Sequence, residues 1–160
     1  MASDLVNDGA NVGADVVLPF QRLYRQMIAE VEGLDEAVLG WAPDPDTTPI
    51  SNLVLHVLGA ARRHLSNLAG APQQIDRAAE FSAAPLPAAE LVDRIEEAAR
   101  ELEQYRDRLT TGDLLAQRER PARELAGSGL VVLLVAYGHV TEHLAQIRLT
   151  KQLYAQAHRA

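Results

Sequence analysis

The feature that most constrains the fold is a long apolar segment near the carboxyl end, from about Gly129 to Ala157. Its first half, residues 130–136, is apolar on every side when it is projected onto a helix. A helix of this kind has no polar face to offer to water, so other helices have to cover it. The segment therefore predicts a central helix, with Ser128 as its cap.

Three earlier segments have the spacing of amphipathic helices, because apolar residues recur at intervals of three and four. The first covers residues 16–39 and is interrupted by a glycine, after which a separate turn is expected. The second covers residues 48–69, with Thr48 as cap and Pro49 at the first helical position. The third begins near Pro87. Its apolar seam consists of Leu91, Ile95, Ala98, Leu102, Tyr105 and Leu109.

Four long helices without strand-like alternation predict an all-α protein, a four-helix bundle. The 160 residues fit a single domain that is large enough to bury a core. Only 4% of the residues are aromatic, so aliphatic side chains must fill most of this core. We expect residues 1–15, which are mostly polar, to be a flexible N-terminal lead-in and residues 16–160 to form the bundle domain.

Charge and composition argue against several functional classes. The net charge of −7 argues against broad nucleic-acid binding, which needs a basic surface. No apolar run reaches the length of a membrane span, and the N-terminus lacks the pattern of a secretory signal. The absence of cysteine excludes disulfides, thiolate metal ligands and a cysteine nucleophile. We therefore expect a cytoplasmic protein that acts on a small molecule, without nucleic-acid or membrane partners.

Three histidines form the candidate site. His139 and His143 are four residues apart, so they lie about 40° apart on one helix face, one turn from each other. His56 lies in the middle of the second predicted helix. Helical bundles build metal sites from inward side chains on facing helices. Three such ligands with an open fourth position are typical of catalytic zinc, and nickel or iron also binds imidazole.

The three histidines also allow two other interpretations, as structural residues of the core or as part of a peptidase motif. Buried histidines can instead bond to backbone or hydroxyl groups, although three of them need three sets of partners. This structural explanation remains open beside the metal site. The stretch from His139 to His143, with Glu142 between them, also matches the H-x-x-E-H pattern of inverted zinc peptidases. We reject that assignment, because no acidic residue follows His143 and the chain is too short for the peptidase architecture.

Three polar residues near the histidines are candidates for binding substrate or for orienting an imidazole. Gln146 lies on the same helix face as His139, and Asn52 lies one turn before His56. Glu142 belongs to the same stretch and is a candidate for the same role. Each of the three could equally bond a neighbouring helix.

Further charged or ionisable residues are expected outside the site. His64 lies about 80° from His56 around its helix and is predicted at the edge of the face that carries His56, and His158 is predicted to be exposed. Arg62 and Arg63 could receive an anionic group of a substrate, but surface positions are the usual location of arginine.

Three motifs follow one another along the chain. They are Gly40-Trp41-Ala42-Pro43, the stretch from Thr48 to Leu55 that leads into His56, and His139-Val-Thr-Glu142-His143-Leu-Ala-Gln146-Ile147. In order and separation they resemble the DinB-like (damage-inducible protein) superfamily of four-helix bundles. The resemblance covers about residues 16–154, and the combination of the three motifs is more specific than any one of them.

This resemblance implies a divalent metal, zinc or nickel, held by His56, His139 and His143. It also implies a bundle with one or two crossover connections, and often a homodimer. Several members are thiol-dependent enzymes, namely mycothiol-dependent maleylpyruvate isomerase and the bacillithiol S-transferases. In these the metal would bind a low-molecular-weight thiol and stabilise its thiolate for attack on an electrophile.

Three hypotheses follow for the function. The first is a metal-dependent enzyme, a thiol S-transferase or isomerase, that uses a low-molecular-weight thiol as co-substrate. The second is a non-catalytic metal- or ligand-binding stress-response protein of the same fold, which acts through its dimer surface. The third is a bundle whose histidines are structural. Metal binding separates the third hypothesis from the others, and turnover with a thiol separates the first from the second.

Overall fold

Helices form most of the computed structural model, which describes residues 9–118 and 127–159. In chain order the helices are α1 (Gly13–Val31), α2 (Glu36–Leu39), α3 (Ile50–Leu68), α4 (Arg77–Ser82), α5 (Ala88–Glu101), α6 (Thr111–Leu115) and α7 (Gly129–Ala157). A 3-10 helix, Leu102–Tyr105, directly continues α5. Two short strands, β1 (Gln117–Arg118) and β2 (Gly127–Ser128), pair in antiparallel fashion just before α7. The predicted all-α class is confirmed.

The four longest helices contact one another in a ring. Helix α1 packs against α5 and α7, and α3 packs against the same two helices. The contact between α3 and α7 is the most extensive of all, and it brings together the two helices that carry the three candidate histidines. The chain passes from α1 to α3, and from α5 to α7, between opposite corners of this ring.

Aliphatic side chains fill the centre, as the composition predicts. Every residue of the predicted seam of α5 and its continuation, from Leu91 to Leu109, is buried. The few aromatic residues of the core include Phe20 and Tyr24 of α1, which are almost completely buried. Because these helices bury their apolar stripes against one another, the fold is held together mainly by burial of aliphatic surface.

Helix α7 has the predicted bounds, but it is covered on one side only. Its inner face consists of Val132, Ala136, Val140, Leu144, Ile147 and Thr150. Its exposed apolar residues are Leu130, Leu134, Tyr137 and Leu149, of which Leu134 is 63% exposed. The expectation that the whole first half of this helix lies centrally is therefore wrong. A helix that is apolar on every side can be buried, but its sequence does not show whether other parts of the same chain cover all of its sides.

Helix α7 is also long and apolar enough to cross a membrane, judged by length and composition alone. This differs from the expectation that no apolar run is long enough. The property is weak evidence for a membrane, because the core helix of a soluble protein meets the same criteria. Here α7 packs along α3 and α1 and carries His139 and His143.

Helix α1 begins at Gly13, before the predicted end of the lead-in at Asp15. The backbone N–H of Val12 donates to the carbonyl of Leu109, and the N–H of Thr111 donates to the carbonyl of Ala10. The segment before α1 is thus tied to the chain that follows α5. The rest of the predicted lead-in, residues 1–8, lies outside the described residues.

The helix boundaries agree with the sequence patterns elsewhere, with small differences. Gly33 and Gly70 have positive φ angles of 71° and 74°, which explains why α1 and α3 end just before them. Pro49 precedes the first residue of α3, and no side chain caps this helix, so the proposed cap by Thr48 does not form. Ser128 likewise makes no side-chain cap hydrogen bond to α7.

Candidate metal centre

Helices α3 and α7 bring the three histidines together. The ring centre of His56 lies 5.0 Å from that of His139 and 5.2 Å from that of His143. The rings of His139 and His143 are 4.3 Å apart, as expected for one helical turn. One nitrogen from each residue can be chosen so that all three lie within 4.8 Å of one another. The three residues therefore form a group that could hold a metal ion.

The group lies at the wall of an open cleft with a volume of about 590 Å³. His56 is 2% exposed, whereas His139 and His143 are partly exposed towards the cleft. The apolar part of the lining consists of Pro43, Leu53, Phe81, Leu149 and Leu153. A cleft of this size, with apolar walls and a few polar groups, is typical of sites for small molecules.

His56 is held by a residue that the sequence reasoning missed. Its Nδ1 atom lies 3.0 Å from Oε2 of Glu80, on α4. An ionised carboxylate can only accept a hydrogen bond, so Nδ1 carries the proton and Nε2 keeps its lone pair. That Nε2 atom lies 3.1 Å from Nε2 of His139. The hydrogen bond thus directs the unprotonated nitrogen of His56 towards the other two histidines.

Glu80 was missed because the sequence of residues 71–86 has only a weak helical pattern, which predicts a connection rather than a helix. Helix α4 is six residues long, and none of its residues is buried, so it has no apolar stripe for periodicity to detect. A local signal did exist in Asp76, whose side chain accepts a hydrogen bond from the N–H of Ala79 and caps α4.

Of the polar candidates, Gln146 is the one that contacts an imidazole. Its side-chain oxygen lies 2.6 Å from Nδ1 of His143. Because an amide oxygen accepts, this contact places the proton of His143 on Nδ1 and leaves the lone pair on Nε2. Gln146 therefore orients His143 as Glu80 orients His56.

Asn52 and Glu142 have other surroundings. The amide nitrogen of Asn52 donates to the backbone oxygens of Glu80 and Ala83 at 3.0 and 2.9 Å, and a longer contact of 3.4 Å reaches the oxygen of Phe81. Asn52 thus supports α4, and through it Glu80, rather than an imidazole. Glu142 is exposed and lines the cleft beside the histidines.

Most of the remaining charged and ionisable residues make contacts outside the group. Arg62 pairs with Glu101 at 2.7 Å, so its guanidinium faces α5 and not the histidines. His158 is exposed and stacks on Tyr154, with 4.0 Å between ring centres. His64 is buried, and its ring centre lies 6.4 Å from that of His139, so it is the nearest imidazole beyond the group.

Electrostatics keeps two of the three imidazoles neutral. Burial lowers the pKa of His56 to about 4, and the nearby His139, His143, Arg77 and Arg63 add to this effect. Burial also lowers the pKa of His139 to about 4. The neighbouring His143 lowers this pKa further, whereas the negative charge of Glu142 raises it. The contact between His56 and Glu80 is therefore a hydrogen bond from a neutral ring. Neutral imidazole is the form that binds metals.

The donor set fits a divalent metal. Two of the rings have their protons held on Nδ1 by acceptors, which leaves Nε2 as the available donor atom. Metal-binding histidines usually donate their other N–H to a carboxylate or carbonyl oxygen. Nitrogen ligands of a tetrahedral zinc ion are about 3.3 Å apart, close to the 3.1 Å between His56 and His139.

A comparison with models of protein families shows which family the chain belongs to. The model of the DinB superfamily matches residues 20–147, which is most of the sequence. The chain belongs to the DinB superfamily. The matched range includes all three histidines and Glu80. Among curated proteins, none matches the chain significantly.

The lowered pKa values predict how this DinB-superfamily chain loses stability in acid when metal is removed by a chelator. Unfolded, His56 and His139 bind protons near pH 6.5, whereas the folded protein binds them near pH 4. Between these values the unfolded state holds more protons, so the free energy of unfolding falls as the pH falls. Each imidazole contributes up to about 1.4 kcal/mol per pH unit to this slope.

Urea unfolding curves between pH 7 and 5 would measure the slope. The raised pKa of Glu80, which results mainly from burial, acts in the opposite direction, so a variant is needed for comparison. A protein with His56→Gln and His139→Gln should show a shallower dependence on pH in this window. Equal slopes in the two proteins would contradict the lowered pKa values.

Proposed function

We propose that the chain is a divalent-metal-dependent enzyme of the cytoplasm, with zinc or nickel held by His56, His139 and His143. We further propose that it uses a low-molecular-weight thiol, as an S-transferase or an isomerase. The observation that carries the proposal is the convergence of three imidazoles, two of them oriented by Glu80 and Gln146, beside an open cleft. Three protein ligands leave a position free, as in catalytic zinc sites.

The surroundings of the site suggest how the chain would support such a reaction. A bound divalent metal would supply positive charge that lowers the pKa of a thiol or a water molecule at the free position. The carboxylate of Glu142, exposed in the cleft, would receive the proton that this group releases. Leu53, Phe81 and Leu149 would pack against the apolar part of a small-molecule substrate, and Arg77 would face an anionic part.

An external thiol also suits the composition of the chain. The sequence contains no cysteine, so a sulfur nucleophile would have to come from a co-substrate. The cleft next to the histidines has a volume of about 590 Å³, which is within the range of sites for small molecules.

The experiment is metal analysis of the untagged protein, followed by a thiol-conjugation assay with a reactive model electrophile. The wild type should retain zinc or nickel close to one ion per chain, and His143→Ala should lose both the metal and the activity. His158→Ala is the matched control, because its ring stacks on Tyr154 away from the site and should change neither quantity.

Three outcomes would contradict parts of this proposal. Tight metal binding without turnover across several thiols would favour the alternative, a non-catalytic metal- or ligand-binding stress-response protein of the same fold. A protein that refuses zinc and nickel and yet remains folded would leave the histidines structural. Normal activity in His143→Ala would remove the site assignment itself.

We also propose that the ring of α1, α5, α3 and α7 is a four-helix bundle with two crossover connections. The packing pairs support a bundle, because α1 and α3 each contact α5 and α7. They support two crossovers, because two of the three connections between successive long helices join opposite corners of the ring. The connection from α3 to α5 is the one that joins neighbouring helices and carries α4.

We propose, finally, that two copies of the chain form a homodimer through the outer face of α7. Exposed apolar side chains follow one another along this face. Large exposed apolar patches on soluble proteins usually mark interaction surfaces. The exposed members are Leu130, Leu134 and Tyr137.

The dimer can be tested at Leu134, which is 63% exposed. Leu134→Glu places a charge within the proposed interface and should lower the mass in sedimentation equilibrium from that of two chains to that of one. Gln104→Glu is the matched control, since Gln104 is exposed on the 3-10 helix that continues α5, at the corner of the ring opposite α7, and the substitution adds the same charge. A wild-type protein that sediments as a single chain would contradict the dimer.

A further inference from the structure

Helix α4 lies beside the candidate metal centre and has one large apolar side chain, that of Phe81. None of its six residues is buried, yet it packs extensively on α3. The ring of Phe81 faces that of His56 at 4.6 Å, and Oε2 of Glu80 contacts Nδ1 of the same imidazole. Because Phe81 is the one large apolar side chain of this helix and remains 39% exposed, polar contacts with α3 are needed to hold the helix in place.

Three buried polar residues of α3 supply these contacts. Asn52 donates to backbone oxygens at the end of α4, as described above. The hydroxyl of Ser51 accepts from the N–H of Leu86 at 2.8 Å, and the hydroxyl of Ser66 accepts from the N–H of Gln73 at 3.0 Å. Ser51, Asn52 and Ser66 are 0–3% exposed. The hydrogen bonds of these buried side chains hold the segment from Gln73 to Leu86, which carries Glu80, at both of its ends.

Gly59 completes the arrangement, because it leaves the space that the carboxylate of Glu80 occupies. A Cβ atom built on Gly59 would overlap Oε1 of Glu80. Gly59 lies three residues after His56, and therefore on the same face of α3. The remaining oxygen of the same carboxylate, Oε2, contacts Nδ1 of His56. A side chain at position 59 would thus push the carboxylate away from the imidazole.

We propose that Glu80 is a positioning residue for His56, and that Gly59 and Asn52 fix where its carboxylate lies. Glu80 keeps the proton of His56 on Nδ1 and holds the ring with Nε2 towards His139 and away from α4. This assignment deepens the proposed function, since its consequence for metal affinity rests on the metal site. The tautomer of His56 does not depend on that site, because the hydrogen bond forms within the chain itself.

The first measurement is zinc affinity of the full chain, by competition with a chromophoric chelator. Loss of a residue that orients a metal ligand typically lowers affinity by about 10- to 100-fold, and we expect this range for Glu80→Ala. Glu80→Gln retains an acceptor oxygen for Nδ1–H and should recover most of the affinity. Gly59→Ala should lower the affinity although it leaves Glu80 in the sequence.

Gly59→Ala has a matched control in Gly138→Ala. Among the described residues, and apart from the chain neighbours and the backbone of its own helix, no atom lies within 4 Å of a Cβ at Gly138, so this substitution on α7 should leave zinc affinity unchanged. The double variant Gly59→Ala with Glu80→Ala decides whether the two residues act together. If Gly59 acts through the carboxylate, the double variant loses no more affinity than Glu80→Ala alone. Additive losses would overturn the role given to Gly59.

The second measurement reports on His56 without metal or activity. Imidazole ¹⁵N chemical shifts in the metal-free protein should show His56 protonated on Nδ1 in the wild type and in Glu80→Gln. Glu80→Ala and Gly59→Ala should show a mixture of the two tautomers. An unchanged tautomer together with unchanged zinc affinity in Glu80→Ala would overturn the proposal. A wild type that binds no zinc would remove the proposed function alone, and the tautomer would still test Glu80.

Discussion

The packing of α3 against α7 is the contact on which the rest of the structure depends. Both helices bury apolar residues in one core, and this fixes the distance between His56 on one helix and the histidine pair on the other. Imidazoles are short, so their nitrogens meet only where two helices are in direct contact. The site is therefore a consequence of core packing, and the open cleft lies where that packing stops, near Leu53 and Leu149.

Three imidazoles in a partly buried space would repel one another if they were charged, and their N–H groups need acceptors. The surroundings of the site meet both requirements. Low pKa values keep His56 and His139 neutral, so no positive charges repel one another in the folded protein. Glu80 and Gln146 accept the Nδ1 protons, so two rings have a defined orientation. The Nε2 atoms of these two rings are left unprotonated and available to a cation that the three histidines could share.

The helices and the histidine trio could be predicted because helical periodicity is a local property of the sequence. His139 and His143 share a face through their spacing alone, whatever surrounds them. Glu80 could not be found in this way, because it reaches His56 from a short helix with no buried residue, and the space for it depends on a glycine on another helix. The exposed face of α7 was missed for a related reason: an apolar pattern such as that around Leu134 does not reveal what covers it.

X-ray absorption at the zinc edge of the zinc-loaded protein tests the central claim most directly, because it counts the imidazoles bound to the metal. Three protein ligands from His56, His139 and His143 predict scattering from three imidazole rings, with a lighter ligand at the remaining position. Addition of a thiol should then replace that ligand by sulfur if the proposed reaction is correct. A zinc shell dominated by carboxylate oxygens, or one with fewer than three imidazoles, would contradict the account.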